Sequence, residues 1–191
     1  VRVVVQHEVH EPAHADRDLM LFGDFEDTDV DDQTLELARW DVTGSYSFAC
    51  VDQAHRGAAS LCMRGTPGQT RATSVALRNR VRVMGDADDM PRKDLTLVGY
   101  AAMSNAGAIA IRADYSPSEG DADLGSEVVW THPGGDQAWT QFAAPLHMPA
   151  DTVPSGPTIN ARAVRIFLRQ EPPTGDADAM LRFDDLAIVG W

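Results

Sequence analysis

The chain has 191 residues and carries 29 Asp and Glu against 16 Lys and Arg, a formal net charge of −13, with 43% of its residues hydrophobic. That length suits one large domain with an arm, and the apolar fraction is enough for a core. The acidity excludes nucleic-acid backbone binding, which needs a basic surface, and no apolar run is long enough to insert into a membrane.

Val1 to Val5 is β-prone and leads into His7-Glu8-Val9-His10-Glu11-Pro12-Ala13-His14. His7 and His10 are three apart and Pro12 follows, so this is not the His-Glu-x-x-His of a metalloprotease helix. Residues 1–18 read as an N-terminal arm or linker, and 19–191 as the domain. Leu19 to Phe22 opens the domain and runs into Gly23-Asp24-Phe25-Glu26-Asp27. The acidic spacing that follows is not an EF-hand: the sixth position lacks Gly, and the twelfth, Ala38 counted from Asp27, lacks the bidentate Glu.

Leu35 to Val42 carries Trp40, and strands are expected at 46–51, 60–63, over 70–83 as one long strand or two, and at 95–103 and 108–115. Asn105-Ala106-Gly107 reads as a hairpin turn between the last two. Further strands fall around 128–130 and from 139, then at 161–169, where Ala161, Ala163, Arg165, Phe167 and Arg169 share one side and Val164, Ile166 and Leu168 the other. Gly-Asp-Ala-Asp recurs at 85, 120 and 175 at unequal intervals, which is turn chemistry rather than a structural repeat. No helical period is sustained over ten residues, so the fold class is all-β: an antiparallel β-sandwich or jelly roll.

The closing stretch, Leu181 to Trp191, is apolar on both parities and reads as a strand buried on both faces. Asp184 and Asp185 interrupt it. Two carboxylates in a buried strand need compensation, and a hard cation such as calcium supplies it. Solvation at a strand edge is the alternative. Cys50 and Cys62 flank a short strand connection. A disulfide there would contribute about 3 kcal/mol in the chain-entropy model and favours a secreted, extracellular protein; two free buried thiols are the other reading.

Taken in order, Gly23-Asp24-Phe25-Glu26, Trp40, His55-Arg56-Gly57-Ala58-Ala59-Ser60-Leu61, the strand ending in Tyr100, Trp139-Thr140-Gln141-Phe142 and Phe183-Asp184-Asp185-Leu186 resemble the galactose-binding-like β-jelly-roll carbohydrate-binding modules appended to secreted polysaccharide-degrading enzymes. The resemblance spans residues 19–191. It implies a structural calcium held by Glu26 and Asp184, with Asp24 and Asp185 secondary and a carbonyl near Arg56 or Gly57. Asp24 departs from the small residue more usual before Phe-Glu, and the cysteine pair is not a requirement of the family.

A sugar-binding face needs rings to stack on and polar groups to read hydroxyls. Trp130, beside a Gly-rich turn, is the foremost exposed candidate, with Tyr46, Tyr100, Tyr115 and His132 behind it. Trp40 and Trp139 read as core. Arg112, Arg165 and Arg169 are candidate polar contacts on a sheet face. No nucleophile elbow, phosphate loop or paired-carboxylate motif of a jelly-roll glycosidase is present, and Glu36 and Glu127 stand isolated. The expectation is a non-catalytic carbohydrate-binding or adhesion module whose partner is a polysaccharide or glycan. The alternatives are an assembly module that contacts other protein chains through Val1 to Val5, and, more weakly, a lyase or hydrolase on the same scaffold.

Overall fold

A computed structural model of the chain describes residues 25, 40–42, 47–51, 53–77, 80–82, 95–116, 124–147, 150–151, 159–160 and 163–190. The arm at 1–18, with Val1 to Val5, lies outside these residues, as do Asp24, Glu26 and Tyr46. Among the described residues there are strands and no helix. The strands are β1 (Trp40–Val42), β2 (Ser47–Val51), β3 (Ala59–Gly65), β4 (Thr73–Leu77), β5 (Val81–Arg82), β6 (Leu95–Ala106), β7 (Ile109–Ser116), β8 (Gly125–His132), β9 (Gly135–Leu146), β10 (Ala150–Asp151), β11 (Ile159–Asn160), β12 (Ala163–Gln170) and β13 (Ala179–Gly190).

They form two antiparallel sheets and a short ribbon of β10 with β11. Sheet A has the order β2-β3-β13-β6-β9; sheet B has the order β1-β4-β12-β7-β8, with β5 also pairing β12. The stretch expected as one long strand or two is two, β4 and β5, both pairing with β12.

The core follows from the period of two along each strand. Val164, Ile166 and Leu168 of β12 and Ile109, Ile111, Ala113 and Tyr115 of β7 point inward, against Leu97, Ala101 and Met103 of β6 and Leu61 and Met63 of β3. Arg165, Phe167 and Arg169 alternate to the outside, as the sequence pattern requires.

Strand β13 changes phase within itself. Leu181 and Phe183 enter the core on one parity, Leu186 and Ile188 on the other. Opposite β6 the register runs Asp184 to Tyr100, then Ala187 to Val98, so one extra residue bulges from β13. Asp185, with φ of 51°, sits in that bulge. The double parity therefore has two sources: the bulge flips the inward set, and Ala187 and Val189 bury with Val98 in a separate cluster. A β-bulge re-aims side chains in this way.

The expected hairpin at Asn105-Ala106-Gly107 is corrected. The strands it joins, β6 and β7, lie in different sheets, so the turn is a corner of the sandwich. Gly134, with φ of 92°, turns the neighbouring corner from β8 to β9. A Cβ on Gly134 would run into the carbonyl oxygens of Ala106 and Gly107, so the two corners approach more closely than any larger residue permits. Asp136 Oδ1 ties them by accepting the Asn105 N–H at 2.7 Å. Turn composition alone does not distinguish a corner from a hairpin.

Candidate functional site

Two regions on the outside of the sandwich gather polar and aromatic side chains. The first is the bulge of β13. Asp184 is fully buried. Its Oδ2 accepts the backbone N–H groups of His55 at 2.7 Å and Arg56 at 3.1 Å, and its Oδ1 accepts that of Asp185 at 2.8 Å. Asp185 Oδ2 lies 2.9 Å from His55 Nδ1. The His55 ring stacks on Tyr100, centroids 3.5 Å apart and planes 11° from parallel, and meets Trp139 edge-on at 5.9 Å. Burial raises the Asp184 carboxyl to about 6, against the N–H donors of Arg56, Asp185 and His55 that favour its charged form.

The loop that carries His55 and Arg56 joins β2 to β3, and a disulfide between Cys50 and Cys62 closes it, with Cα atoms 5.7 Å apart. The expected bridge therefore forms. It fixes the two ends of the loop that caps the acidic bulge, and Gly57 in that loop has φ of 69°.

The second region is the outer face of sheet B. The register places Phe167 of β12 between Ala76 of β4 and Arg112 of β7, with Asp41 of β1 beyond Ala76. One step along, Arg169 stands between Ser74 and Ala110. Phe167 thus has the small Ala76 on one side and arginines on the other and along its own strand. The guanidinium carbons of Arg112 and Arg165 lie over its ring, 4.3 and 4.9 Å from the centroid.

Each arginine of this face has an oxygen partner. Arg112 pairs with Asp114: Nη2 donates to Oδ2 at 3.0 Å, and Nε lies 2.8 Å from Oδ1 as an ion contact. Arg165 donates Nε to the Leu77 carbonyl at 2.5 Å and Nη2 to Asp41 Oδ2 at 2.8 Å. Arg169 pairs with Glu171 at 2.8 Å. The arginine side chains remain open to solvent, 46%, 27% and 58% exposed respectively.

Among the expected sugar-contacting residues, Tyr115 is corrected: its ring is in the core. Its hydroxyl donates to Glu127 Oε1, which also accepts the His147 N–H at 2.8 Å. His147 Nδ1 lies 3.0 Å from Glu127 Oε2. Burial and the Glu127 carboxylate raise the Tyr115 phenol; burial pushes the Glu127 carboxyl up, but bonds from Tyr115 and His147 win and lower it. Glu127 is therefore not isolated. It joins β7 and β8 to the end of β9.

Trp130 does not stand free. It is partly buried against the core, 4.9 Å from the Phe142 ring, with His132 stacked beside it at 5.8 Å. His132 Nδ1 accepts the Gly134 N–H at 3.1 Å, a turn contact. Tyr100 lies under His55 in the first region. Trp40 is core, beside Phe25 at 5.5 Å, as expected. Trp139 is not core: it lies half-exposed at the edge of the His55 ring. His55 and Phe167 were not singled out from the sequence. The exposed polar frame of Thr140 and Gln141 marks Trp139 as a surface residue, and the Arg-Phe-Arg alternation of β12 marks Phe167.

No protein-family model matches this chain, and no curated protein matches it. Solved structures do. The CBM22-1 xylan-binding domain from Paenibacillus barcinonensis Xyn10C is similar at 18% identity, with 88% of this chain and 91% of that chain covered and a TM-score of 0.54. TmCBM61, solved in complex with β-1,4-galactotriose, is similar at 14% identity over 92% of this chain and 99% of that one, TM-score 0.54. The enzymatically active domain of tailspike protein 4 of bacteriophage CBA120 is similar at 15% identity and a TM-score of 0.58, but the match covers only 22% of that chain. At such identities the likeness is one of fold. The chain has the β-jelly roll of carbohydrate-binding modules, as the resemblance in its sequence implied.

Proposed function

We propose that this chain is a non-catalytic carbohydrate-binding module of an extracellular protein, and that it binds a polysaccharide on the outer face of sheet B. The observation that carries the reading is the Phe167 platform: one ring set among Ala76, Ala110 and Ser74, with Arg112, Arg165 and Arg169 around it. A saccharide needs a flat support and fixed hydrogen-bonding groups, and a jelly roll lends itself to both. Fold-mates that bind xylan or were solved with β-1,4-galactotriose support the class of ligand, though fold alone does not carry function. The carboxylates on this face, Asp41, Asp114 and Glu171, are tied to guanidiniums, which leaves them poorly suited to general acid–base work. The disulfide supports an oxidising compartment.

The same reading includes a structural calcium at the bulge of β13. Asp184 fits the part: it is buried, its carboxyl is under-compensated, and its Oδ1 takes one N–H and keeps a lone pair. Asp185 is occupied by His55, which favours Asp184 as the ligand, with Glu26 as its partner, Asp24 secondary and a loop carbonyl near Gly57. The ion would clip the early segment to the last strand.

The test is affinity electrophoresis through gels containing xylan, β-1,4-galactan or β-glucan, with product analysis of the same polymers after long incubation. Retardation by at least one polymer, with no released sugar, is the expected result. Migration unaffected by every polymer overturns the reading.

A further inference from the structure

We infer that a saccharide on sheet B rests on the guanidinium planes of Arg112 and Arg165 rather than on the ring of Phe167, which acts as the support that holds those planes. This rests on the reading of that face as the glycan site. The usual aromatic platform offers a bare ring. Here the ring already carries two cations over it, at 4.3 and 4.9 Å. Displacing them would forfeit two cation–π contacts. It would also strain the bonds that anchor each guanidinium.

Those anchors fix the orientation of both planes. Arg112 donates Nη2 to Asp114 Oδ2 and holds Nε in ion-pair contact with Oδ1; Arg165 donates Nε to the Leu77 carbonyl and Nη2 to Asp41. In each case Nη1 has no hydrogen-bond partner among the described residues. A guanidinium is flat and weakly hydrated, so its face packs on a sugar ring while its edge donates. Two fixed planes with spare donors suit a chain that presents ring and hydroxyl oxygens as acceptors. Arg112 and Arg165 are then the contact residues, and Phe167 is a positioning residue.

The variants that separate the two arrangements are R112K, R165K and F167L, with F167M as a second replacement of the ring. Lysine keeps the charge but loses the plane and the fork. Leucine and methionine keep apolar bulk beneath the arginines but remove the aromatic face. Dissociation constants are measured on whichever of xylan, β-1,4-galactan or β-glucan retards the wild type, alongside thermal melts. The expected result is a tenfold or greater loss for R112K and R165K, about threefold for F167L or F167M, and a shift of the Arg112 and Arg165 side-chain N–H resonances on titration with the matching oligosaccharide. Lysine variants that bind like wild type, with F167L and F167M both inactive but folded, overturn the inference and restore ring stacking. A wild type that no polymer retards overturns the glycan site itself, and this inference with it.

Discussion

The bulge of β13 and the outer face of sheet B both place carboxylates beside nitrogen donors, yet they do so under opposite conditions. At the bulge the acceptor is fully buried and its donors are mostly backbone N–H groups from a loop stapled by a disulfide. On sheet B the donors are arginine side chains, open to water and held by partners of which Asp41 and Glu171 are themselves exposed. A buried acceptor cannot be removed without stranding its donors, whereas an exposed ion pair contributes little to stability. The bulge therefore behaves as a clamp and sheet B as a surface.

The widest gap should appear in stability. Asp184→Ala deprives three backbone N–H groups of their acceptor and should cost about 3 kcal/mol, while Glu171→Ala on sheet B should cost no more than about 1 kcal/mol. Urea denaturation of both variants measures the contrast, and equal losses would erase the distinction between clamp and surface. Replacing Cys50 and Cys62 by serine should cost about 3 kcal/mol in the chain-entropy model and weaken the clamp through its loop. If the loop holds its place without the bridge, the double variant and Asp184→Ala add independently.

A smaller effect follows from acid. The Asp184 carboxyl is raised to about 6 in the folded chain from an ordinary value of 3.8. Between those values the folded state binds the extra proton, so this group adds stability as pH falls from about 6 towards 4 and withdraws it as pH rises through 6. Melts across that range should show the gain in the wild type relative to Asp184→Asn. Saturating calcium should abolish it, because an ion on the carboxylate lowers its proton affinity. A calcium-independent gain would mean that hydrogen bonds alone hold the bulge. The smallest effect belongs to sheet B: the three arginines there are matched by three carboxylates, so raising NaCl from about 50 to about 500 mM should change glycan retention less than about twofold. A steep salt slope would instead reveal unpaired charge on that face.

Much of this was legible in the sequence. Period-two alternation located β12, because inward and outward side chains of a half-buried strand differ in polarity, and apolar runs bounded by turn residues located β6, β7 and β13, each to within a few residues. The disulfide was readable from two cysteines around one strand connection. Which strands share a sheet was not, because Asn105 to Gly107 and Pro133 to Gly135 use the same turn residues as hairpins. The clamp was half legible. Asp184 and Asp185 announced themselves as carboxylates out of place, but His55, more than a hundred residues earlier, meets them only through the pairing of β3 with β13. Likewise, Arg165, Phe167 and Arg169 appeared on one side of a strand, while the place of Arg112 over the ring depends on the register of β7 against β12. Trp139 was misjudged from its position in the resemblance and its apolar neighbours, when the polar Thr140 and Gln141 beside it were the better guide.

Strand β13 has one more consequence, for the order of events in folding. It is the latest strand in the sequence and the middle strand of sheet A, flanked by β3 and β6. Until it arrives, β2–β3 and β6–β9 are two separate half-sheets, each with an inner edge of unpaired N–H and C=O groups. Joining them means pairing Leu61 with Phe183 across most of the chain, the kind of distant contact that slows a two-state search. Sheet A is therefore completed late, by its central strand, and a nascent chain lacking residues 179–190 exposes two raw strand edges that other chains can pair with.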